Sequence, residues 1–357
     1  MPLYTSSSNR LTPHERLTKH LLIGLLFGIL LVGITENIIR IKGGRPDVRD
    51  TAELWSAQRQ KAAKLGNKAI ILLGASRIQL GTSLNVLKYA TGKEPVQLAI
   101  DGSPFLEVLE DLANDPDVTG SILISATPRL LKPIQDNQRP KKWLNYYQDK
   151  FRGLWQPSVE QMLMARLQSV SALYANIIPL DRLLVMLFSG QDFPVNYLTT
   201  YPSRERDADY TLVKMPDFYI NRVLRNLGKK LSQTNYNSWE EFSKAVKKLA
   251  EATRPNFNTS PNEFQRIHDA LIKLKERGVK VSIINFPSSG LVKDIVDIRY
   301  PKQIWNKVTA RLPATIVDYR DYPELQFELA DGSHLDKTQK TEFTQRLVGI
   351  LQRLDTL

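Results

Sequence analysis

Three side chains in this sequence could together carry out nucleophilic chemistry on an acyl group: Ser76, Asp331 and His334. Asp331 and His334 are three residues apart, and side chains at that spacing on a helix or turn face the same way. The carboxylate can then accept a hydrogen bond from one imidazole nitrogen and leave the other as a base. A serine hydroxyl is a weak nucleophile unless such a base is near, so the three residues complete one another chemically.

Each of these residues also has an ordinary structural interpretation. Gly-Ala-Ser-Arg at 74–77 is compatible with a turn after a strand, Asp331 with a helix N-cap, and His334 with a capping or surface histidine. The segment is not a G-x-S-x-G nucleophile elbow, because Arg77 and Ile78 follow the serine. The interpretation as a catalytic triad therefore depends on the fold that positions the two motifs.

Strands and helices alternate along most of the sequence. Five short β-rich runs bounded by Gly, Pro or Asp predict strands, at residues 69–73, 95–100, 121–126, 279–286 and 314–318. Helix-period stretches lie between them, which predicts an α/β fold with a parallel sheet and helices on both faces. Ligands bind outside the carboxyl ends of the strands in such sheets, where Ser76 is expected to lie.

Residues 131–262 interrupt this alternation and predict a helical insertion after the third strand. Within it, Trp143, Tyr147, Phe151 and Trp155 recur every four residues and form one stripe on a helix, flanked by Lys and Arg. Such a stripe suits a membrane-surface helix, a sugar-stacking face or simple packing of the helix onto the core. The sequence leaves these three alternatives open.

An uncharged apolar run near the N-terminus predicts a membrane anchor. As a helix, residues 21–39 would extend about 28 Å, close to the ~30 Å hydrocarbon core of a bilayer. A cleavage site of small residues does not follow the run, which favours an uncleaved anchor over a signal peptide. We therefore expect a tail at residues 1–20, a transmembrane segment at 21–39 and a domain at 50–357. Lys and Arg flank the run on both sides, so the positive-inside rule does not set its orientation.

The composition excludes several classes of site and partner. The 357 residues include no cysteine and four histidines, none of them in an H-x-x-x-H pair, so we expect no metal and no cofactor. A formal net charge of +12 favours an anionic partner, or is simply a solvated basic surface. Because nucleic-acid-binding motifs are not found in the sequence, we expect no nucleic-acid partner.

Together, Gly-Ala-Ser-Arg at 74–77, Ile-Asp-Gly-Ser at 100–103 and Asp-Gly-Ser-His at 331–334 resemble the motifs of SGNH (GDSL-type) hydrolases. The closer resemblance is to the membrane-anchored branch, which includes proteins of polysaccharide O-acetylation, such as that of alginate, and of teichoic-acid D-alanylation. The resemblance covers residues 65–130 and 265–350. It implies a flavodoxin-like, three-layer SGNH hydrolase-like fold, and a serine esterase or O-acyltransferase that acts on cell-surface or exported polysaccharide.

By the same resemblance, Ser76 is the nucleophile, His334 the base and Asp331 its orienting partner, and the reaction passes through an acyl-enzyme. The backbone N–H groups of Ser76 and Gly102 would form the oxyanion hole. The family likeness also places residues 40–357 outside the cytoplasmic membrane, in the periplasm. It implies a carbohydrate or acyl-ester substrate and a polytopic membrane O-acyltransferase as a partner.

The sequence departs from the family pattern after the third strand. The family carries Gly-x-Asn-Asp there, and its asparagine helps to hold the oxyanion, whereas this chain has Ala-Thr-Pro-Arg at 126–129. Losing one oxyanion donor costs about 3–4 kcal/mol of transition-state stabilisation. Slow catalysis, a substitute donor, or a non-catalytic domain that binds polymer or docks on an integral-membrane acyltransferase all remain open. Arg77 and Arg129 are candidates for binding an anionic substrate group, or for ordinary surface ion pairs.

Overall fold

The computed structural model describes most of the chain, namely residues 13–128, 137–175, 185, 189, 192, 196–228, 236–255 and 262–357. The chain divides into two compact units. The larger unit comprises residues 48–166 and 195–357, and the smaller one residues 1–47 and 167–194.

The described strands are β1 (Ala69–Leu73), β2 (Glu94–Gln97), β3 (Ser121–Ser125), β4 (Leu198–Thr200), β5 (Arg206–Ala208), β6 (Val281–Asn285) and β7 (Thr315–Asp318). The described α-helices are α1 (Pro13–Ile41), α2 (Ala52–Leu65), α3 (Ser76–Gly81), α4 (Leu84–Thr91), α5 (Leu106–Asn114), α6 (Gln138–Tyr146), α7 (Gln156–Val170), α8 (Ala172–Ala175), α9 (Asp217–Leu227), α10 (Trp239–Ala252), α11 (Asn262–Glu276), α12 (Gly290–Arg299), α13 (Lys302–Thr309) and α14 (Lys337–Arg353).

A five-stranded parallel sheet forms the centre of the larger unit, with the strand order β2-β1-β3-β6-β7. Strands β1, β3 and β6 are buried along their whole length, which is why they appear in the sequence as unbroken apolar runs. The α/β class and the parallel five-stranded sheet predicted from the sequence are confirmed. All five predicted strands exist, and their ends agree with the prediction to within three residues.

Helices cover both faces of this sheet. Side chains alternate between the faces along β1: Ile71 and Leu73 pack into a cluster with α2, α5 and α11, whereas Ile70 and Leu72 pack with α4 and α14. The helices of both faces bury their apolar sides against the sheet, as the period of their sequences predicts. The carboxyl ends of the strands therefore form one edge at which the loops with chemistry can meet.

The predicted second strand, at residues 95–100, ends early, at Gln97. Backbone hydrogen bonds continue past that point, from Leu98 to Leu72 of β1 and from Ile100 to Gly74 just after it, but β2 is an edge strand of the sheet. The guanidinium of the fully buried Arg204 binds the carbonyl oxygens of Gln97 and Ala99 there. A side chain thus satisfies the carbonyl groups on the open side of this segment, so it does not need a further strand.

Residues 131–262 are not purely helical, which differs from the prediction of a helical insertion. They contribute α6 to α10, but also the antiparallel hairpin β4–β5. Helices α9 and α10 pack with α12 into a cluster of their own. Within this region, positions 131–136, 176–184, 186–188, 190–191, 193–195, 229–235 and 256–261 lie outside the described residues.

The aromatic stripe of this region mainly packs onto the core. Tyr147 and Phe151 are buried and Trp143 is partly buried, and both Trp143 and Tyr147 contact the ring of Trp55. Trp155, in contrast, is 65% exposed. The packing alternative therefore accounts for the first three aromatic residues and leaves Trp155 unexplained.

The smaller unit contains α1, in which residues 16–41 form a stretch that is long and apolar enough to cross a membrane, with a mean hydropathy of 2.2 over an 18-residue window. The helix includes the predicted transmembrane segment at 21–39 and begins within the predicted tail, of which residues 1–12 lie outside the described part. Near its end, Glu36 accepts hydrogen bonds from Ser171 Oγ and from the backbone N–H groups of residues 172 and 173. This carboxylate caps α8 and ties it to the end of α1.

Candidate active site

Ser76 is the first residue of α3, immediately after β1 at the carboxyl edge of the sheet. The turn between them depends on Gly74, which has a φ of +132°. A Cβ atom at this position would lie 2.8 Å from the backbone oxygen of Ser125 in β3. Only glycine avoids both the backbone strain and this clash, and the tight turn that results directs Ser76 to the edge, where it is partly exposed.

His334 and Asp331 lie in the loop between β7 and α14. One oxygen of Asp331, Oδ1, accepts hydrogen bonds from the backbone N–H groups of Ser333 and His334, each at 2.8 Å. Gly332 takes a φ of +73°, and Asp336 closes the segment by capping α14. The aspartate therefore folds its own loop and leaves its second oxygen free to bind the imidazole.

These three side chains form a continuous hydrogen-bonded chain. The distance from Ser76 Oγ to His334 Nε2 is 2.8 Å, and that from His334 Nδ1 to Asp331 Oδ2 is also 2.8 Å. Both His334 and Asp331 are buried. With Asp331 ionised, Nδ1 carries the proton and Nε2 accepts from the serine hydroxyl, which is the arrangement that general-base activation of a serine requires.

Burial acts to raise the pKa of Asp331, but three favourable interactions outweigh it. The hydrogen bond from His334, the charge of the imidazolium and the charge of Arg222 hold the pKa of this carboxyl well below its usual range. Burial lowers the pKa of His334, and the positive charges of Arg222 and Arg77 lower it further, against the opposing effect of Asp331. At neutral pH the pair is therefore a carboxylate beside a neutral imidazole.

Arg222 is one of the residues of this site that the sequence analysis missed. It lies in α9, within the predicted insertion, and its Nη2 atom is 2.9 Å from Asp331 Oδ2, the oxygen that also binds His334. The buried carboxylate thus has a second cationic partner from a distant part of the chain. One arginine in an insertion carries no local pattern, so nothing in the sequence by itself points to it.

Tyr210 is a second neighbour of the Asp331 carboxylate. Burial and the negative charge of Asp331 both raise the pKa of this phenol, so it stays protonated. Its hydroxyl is buried and makes no well-formed hydrogen bond within the described residues. Tyr210 belongs to the wall around the triad and offers no further base.

The predicted oxyanion hole consists of two backbone N–H groups, those of Ser76 and Gly102. Gly102 follows β2 in a left-handed turn with a φ of +63°. In the described part of the chain, neither its N–H group nor that of Ser76 donates a hydrogen bond. The two predicted donors are thus uncommitted.

Asn137 supports the Gly102 turn and was not singled out from the sequence. Its Nδ2 atom donates to Gly102 O at 3.1 Å and to Ser103 Oγ at 3.0 Å, while its Oδ1 atom accepts from the backbone N–H group of Arg139. It is an asparagine after β3, beyond the third strand tip where the expected one is missing. Its amide holds the turn that carries a predicted oxyanion donor.

The two arginines predicted to bind an anionic group have different outcomes. Arg77 donates to Phe286 O and to Ser288 Oγ, each at 3.3 Å, and so ties α3 to the loop after β6. Its charge still reaches His334 and contributes to the lowered pKa of that residue. Arg129 lies outside the described residues.

The chain matches no protein-family model, and no curated protein is similar to it at a significant level. The resemblance to SGNH hydrolases therefore stays a prediction that rests on the motifs and on the site geometry. Within the residues that the structure describes, no group of three or more His, Asp or Glu side chains is arranged to hold a metal ion.

Proposed function

We propose that this protein is a membrane-anchored serine esterase or O-acyltransferase of the SGNH hydrolase-like type. The observation that carries the proposal is the hydrogen-bonded chain from Ser76 through His334 to Asp331, with both links at 2.8 Å. The partly exposed serine lies at the carboxyl edge of a parallel sheet, where ligands of such folds bind.

The geometry supports a two-step acyl transfer. Ser76 Oγ attacks the acyl carbonyl while His334 Nε2 takes its proton, and Asp331 stabilises the imidazolium that forms. The imidazolium then gives this proton to the leaving alcohol oxygen as its bond to the acyl carbon breaks. Water or a sugar hydroxyl next loses a proton to Nε2 and attacks the acyl-enzyme, and Nε2 returns this proton to Ser76 Oγ as the bond between Oγ and the acyl carbon breaks. Backbone N–H groups of Ser76 and Gly102 would stabilise the oxyanion in both steps.

The membrane and the substrate enter the proposal from other observations. Helix α1 is long and apolar enough to span a bilayer, which supports a membrane anchor. The motif resemblance supports the orientation in which residues 40–357 lie outside the cytoplasm. The motif resemblance supports a cell-surface or exported polysaccharide as the acyl donor or acceptor. A net charge of +12 is compatible with an acidic polymer.

Hydrolysis of p-nitrophenyl acetate by the full chain in detergent tests the catalytic assignment. We expect Ser76→Ala to lower kcat/KM by about 10³-fold or more, because the nucleophile of a triad acts as part of one unit. Ser121→Ala is the matched control, since Ser121 begins β3 at the opposite edge of the sheet and should retain the wild-type rate. Equal rates for Ser76→Ala and the wild type would show that Ser76 is not the nucleophile.

A second candidate function is that of a non-catalytic partner of an integral-membrane acyltransferase. The observation that favours it is the absence of the family asparagine at the third strand tip. The amide of Asn137 does not replace it as an oxyanion donor, because it already donates to Gly102 O at 3.1 Å. A fluorophosphonate separates the two functions because it modifies only an activated serine. If the folded chain is not labelled, yet copurifies with a polytopic membrane protein equally well as Ser76→Ala, the non-catalytic function is favoured.

A further inference from the structure

Helix α7 exposes a row of apolar side chains, whereas a helix in contact with water usually exposes polar ones. Val159, Leu163, Leu167 and Val170 recur at spacings of four, four and three residues and so share one face, here called the apolar α7 face. All four are exposed, and Leu163 is 63% exposed. The buried side of the same helix contains the small Ala165 and the polar Gln168.

Exposed apolar residues are common singly, but a contiguous row is not. A helix at the surface of a soluble domain turns its apolar stripe towards the core and its polar residues towards water. Contiguous exposed apolar surface of this kind marks a site of contact with another molecule or with a membrane. Trp155, which precedes α7 and is 65% exposed, adds an amphipathic ring next to the face.

The C-terminal end of α7 belongs to the smaller unit and contacts α1 there. The backbone oxygen of Val170, the C-terminal residue of α7, accepts a hydrogen bond at 2.8 Å from Arg40 Nη2, which lies in the last turn of α1. Glu36, one turn earlier in α1, binds the backbone N–H groups of residues 172 and 173 that follow. The last turn of α7 is thus fixed at the end of the helix that is apolar enough to cross a membrane.

Charges at the edge of the face agree with a lipid surface. Arg166 lies beside Val159 and Val170 on the helix and is exposed, and Lys150 and Arg152, upstream of α7, are exposed as well. Lys and Arg next to an exposed apolar row are typical of helices that lie in the headgroup region of anionic bilayers. Tryptophan is likewise enriched at that depth.

We propose that the apolar α7 face lies in the headgroup region of the same bilayer that α1 spans, as a second membrane contact of this chain. This inference rests on the part of the proposed function that retains α1 as an anchor, and it is independent of the triad chemistry. A second copy of the chain or a membrane-protein partner on this face are the alternatives that the experiment separates.

Because the chain contains no cysteine, single cysteines report on chosen positions without further changes. The full chain is reconstituted in vesicles of phosphatidylglycerol and phosphatidylcholine, with a nitroxide label at Leu163→Cys, or one turn earlier at Val159→Cys. Tyr89→Cys on α4, at 87% exposure, is the water-exposed control, and Leu26→Cys within α1 is the membrane control. Collisions of each label with oxygen and with a water-soluble nickel chelate are then measured by paramagnetic resonance.

We expect the labels at 163 and 159 to collide with oxygen more often than the label at 89 and with the chelate less often, as the label at 26 does. A label at 163 as accessible to the chelate as that at 89 would overturn the proposal. Low accessibility to both reagents would also overturn it, because protein would then cover the face. If the label at 26 itself is accessible to the chelate, the anchor fails, whatever the triad does.

Discussion

At the scale of single residues, the site is defined by one carboxylate oxygen with two cationic partners. Asp331 Oδ2 lies 2.8 Å from His334 Nδ1 and 2.9 Å from Arg222 Nη2. The imidazole needs the carboxylate for its tautomer, and the arginine reduces the negative field that would make the imidazole more basic. Arg222 is therefore a positioning residue that acts on the base through its partner.

Replacing Arg222 tests this role through the pH dependence of kcat/KM. In the proposed mechanism neutral His334 is the active form. The Arg222 charge lowers its pKa, so Arg222→Met should raise that pKa and move the acidic limb to higher pH. Arg222→Lys keeps the charge, so its acidic limb should lie close to that of the wild type. Arg225→Met, on the same helix, is the control. If Arg222→Met lowers kcat/KM but leaves the acidic limb at the same pH, Arg222 has only a structural role.

How much of the site could be predicted follows from where each residue comes from. Ser76 is close to the end of β1, and the Asp331–His334 pair lies in the loop after β7, so the parallel sheet brings them to one edge and the sequence could place them. Arg222 and Asn137 reach the site from the region between β3 and β6. Their contacts depend on how that region packs, which no local pattern of residue types records.

At the scale of elements, the β1–α3 turn is the part of the structure that gives Ser76 its position. Replacing Gly74 with alanine should destabilise the folded chain for two reasons: its φ of +132°, and a Cβ atom 2.8 Å from Ser125 O. Gly92 is the matched control, because it has a φ of +67° but no atom lies within 4 Å of the place that a Cβ atom would take.

We expect Gly92→Ala to cost about 1–2 kcal/mol, because an L-residue must then adopt a left-handed backbone. The additional clash should add about 1–3 kcal/mol for Gly74→Ala. Urea unfolding of the full chain in detergent measures both free energies. Equal losses in the free energy of unfolding for the two variants would show that β1 and β3 move apart to accommodate the Cβ atom. Crowding against β3 would then not be what fixes the turn.

The hairpin β4–β5 shows why one element could not be predicted. Its strands have three residues each, and its second strand includes Arg206 and Asp207 rather than an apolar run. The ammonium group of Lys340, on α14, is buried and binds Glu205, Asp207 and the backbone oxygen of Arg206. Charged contacts with a distant helix stabilise this hairpin, and it does not depend on a row of buried apolar side chains. Its sequence therefore lacks the alternating apolar pattern that predicts strands.

At the scale of the whole molecule, the sheet could be predicted because its central strands are buried on both faces. Their unbroken apolar runs carry the signal, and the amphipathic helices between them supply the order of the layers. In the region at 131–262, α9 and α10 bury apolar side chains at helical spacing and pack with α12 in a cluster of their own, whereas α7 buries Ala165 and Gln168. Periodicity thus predicts helices in this region but not the elements against which they pack.

The free energy of unfolding of the whole chain should depend on pH because His334 is buried in the folded state. The folded state lowers the pKa of His334 from its ordinary 6.5, so below that pH the unfolded chain binds more protons and stability falls as the pH falls. One such group contributes a slope of at most about 1.4 kcal/mol per pH unit. We expect the stability of the wild type minus that of His334→Asn to shrink between about pH 7.5 and 5.5, above the range where carboxylates titrate. Urea unfolding at several pH values measures this difference, and a difference that stays constant would show that His334 has the same proton affinity in both states.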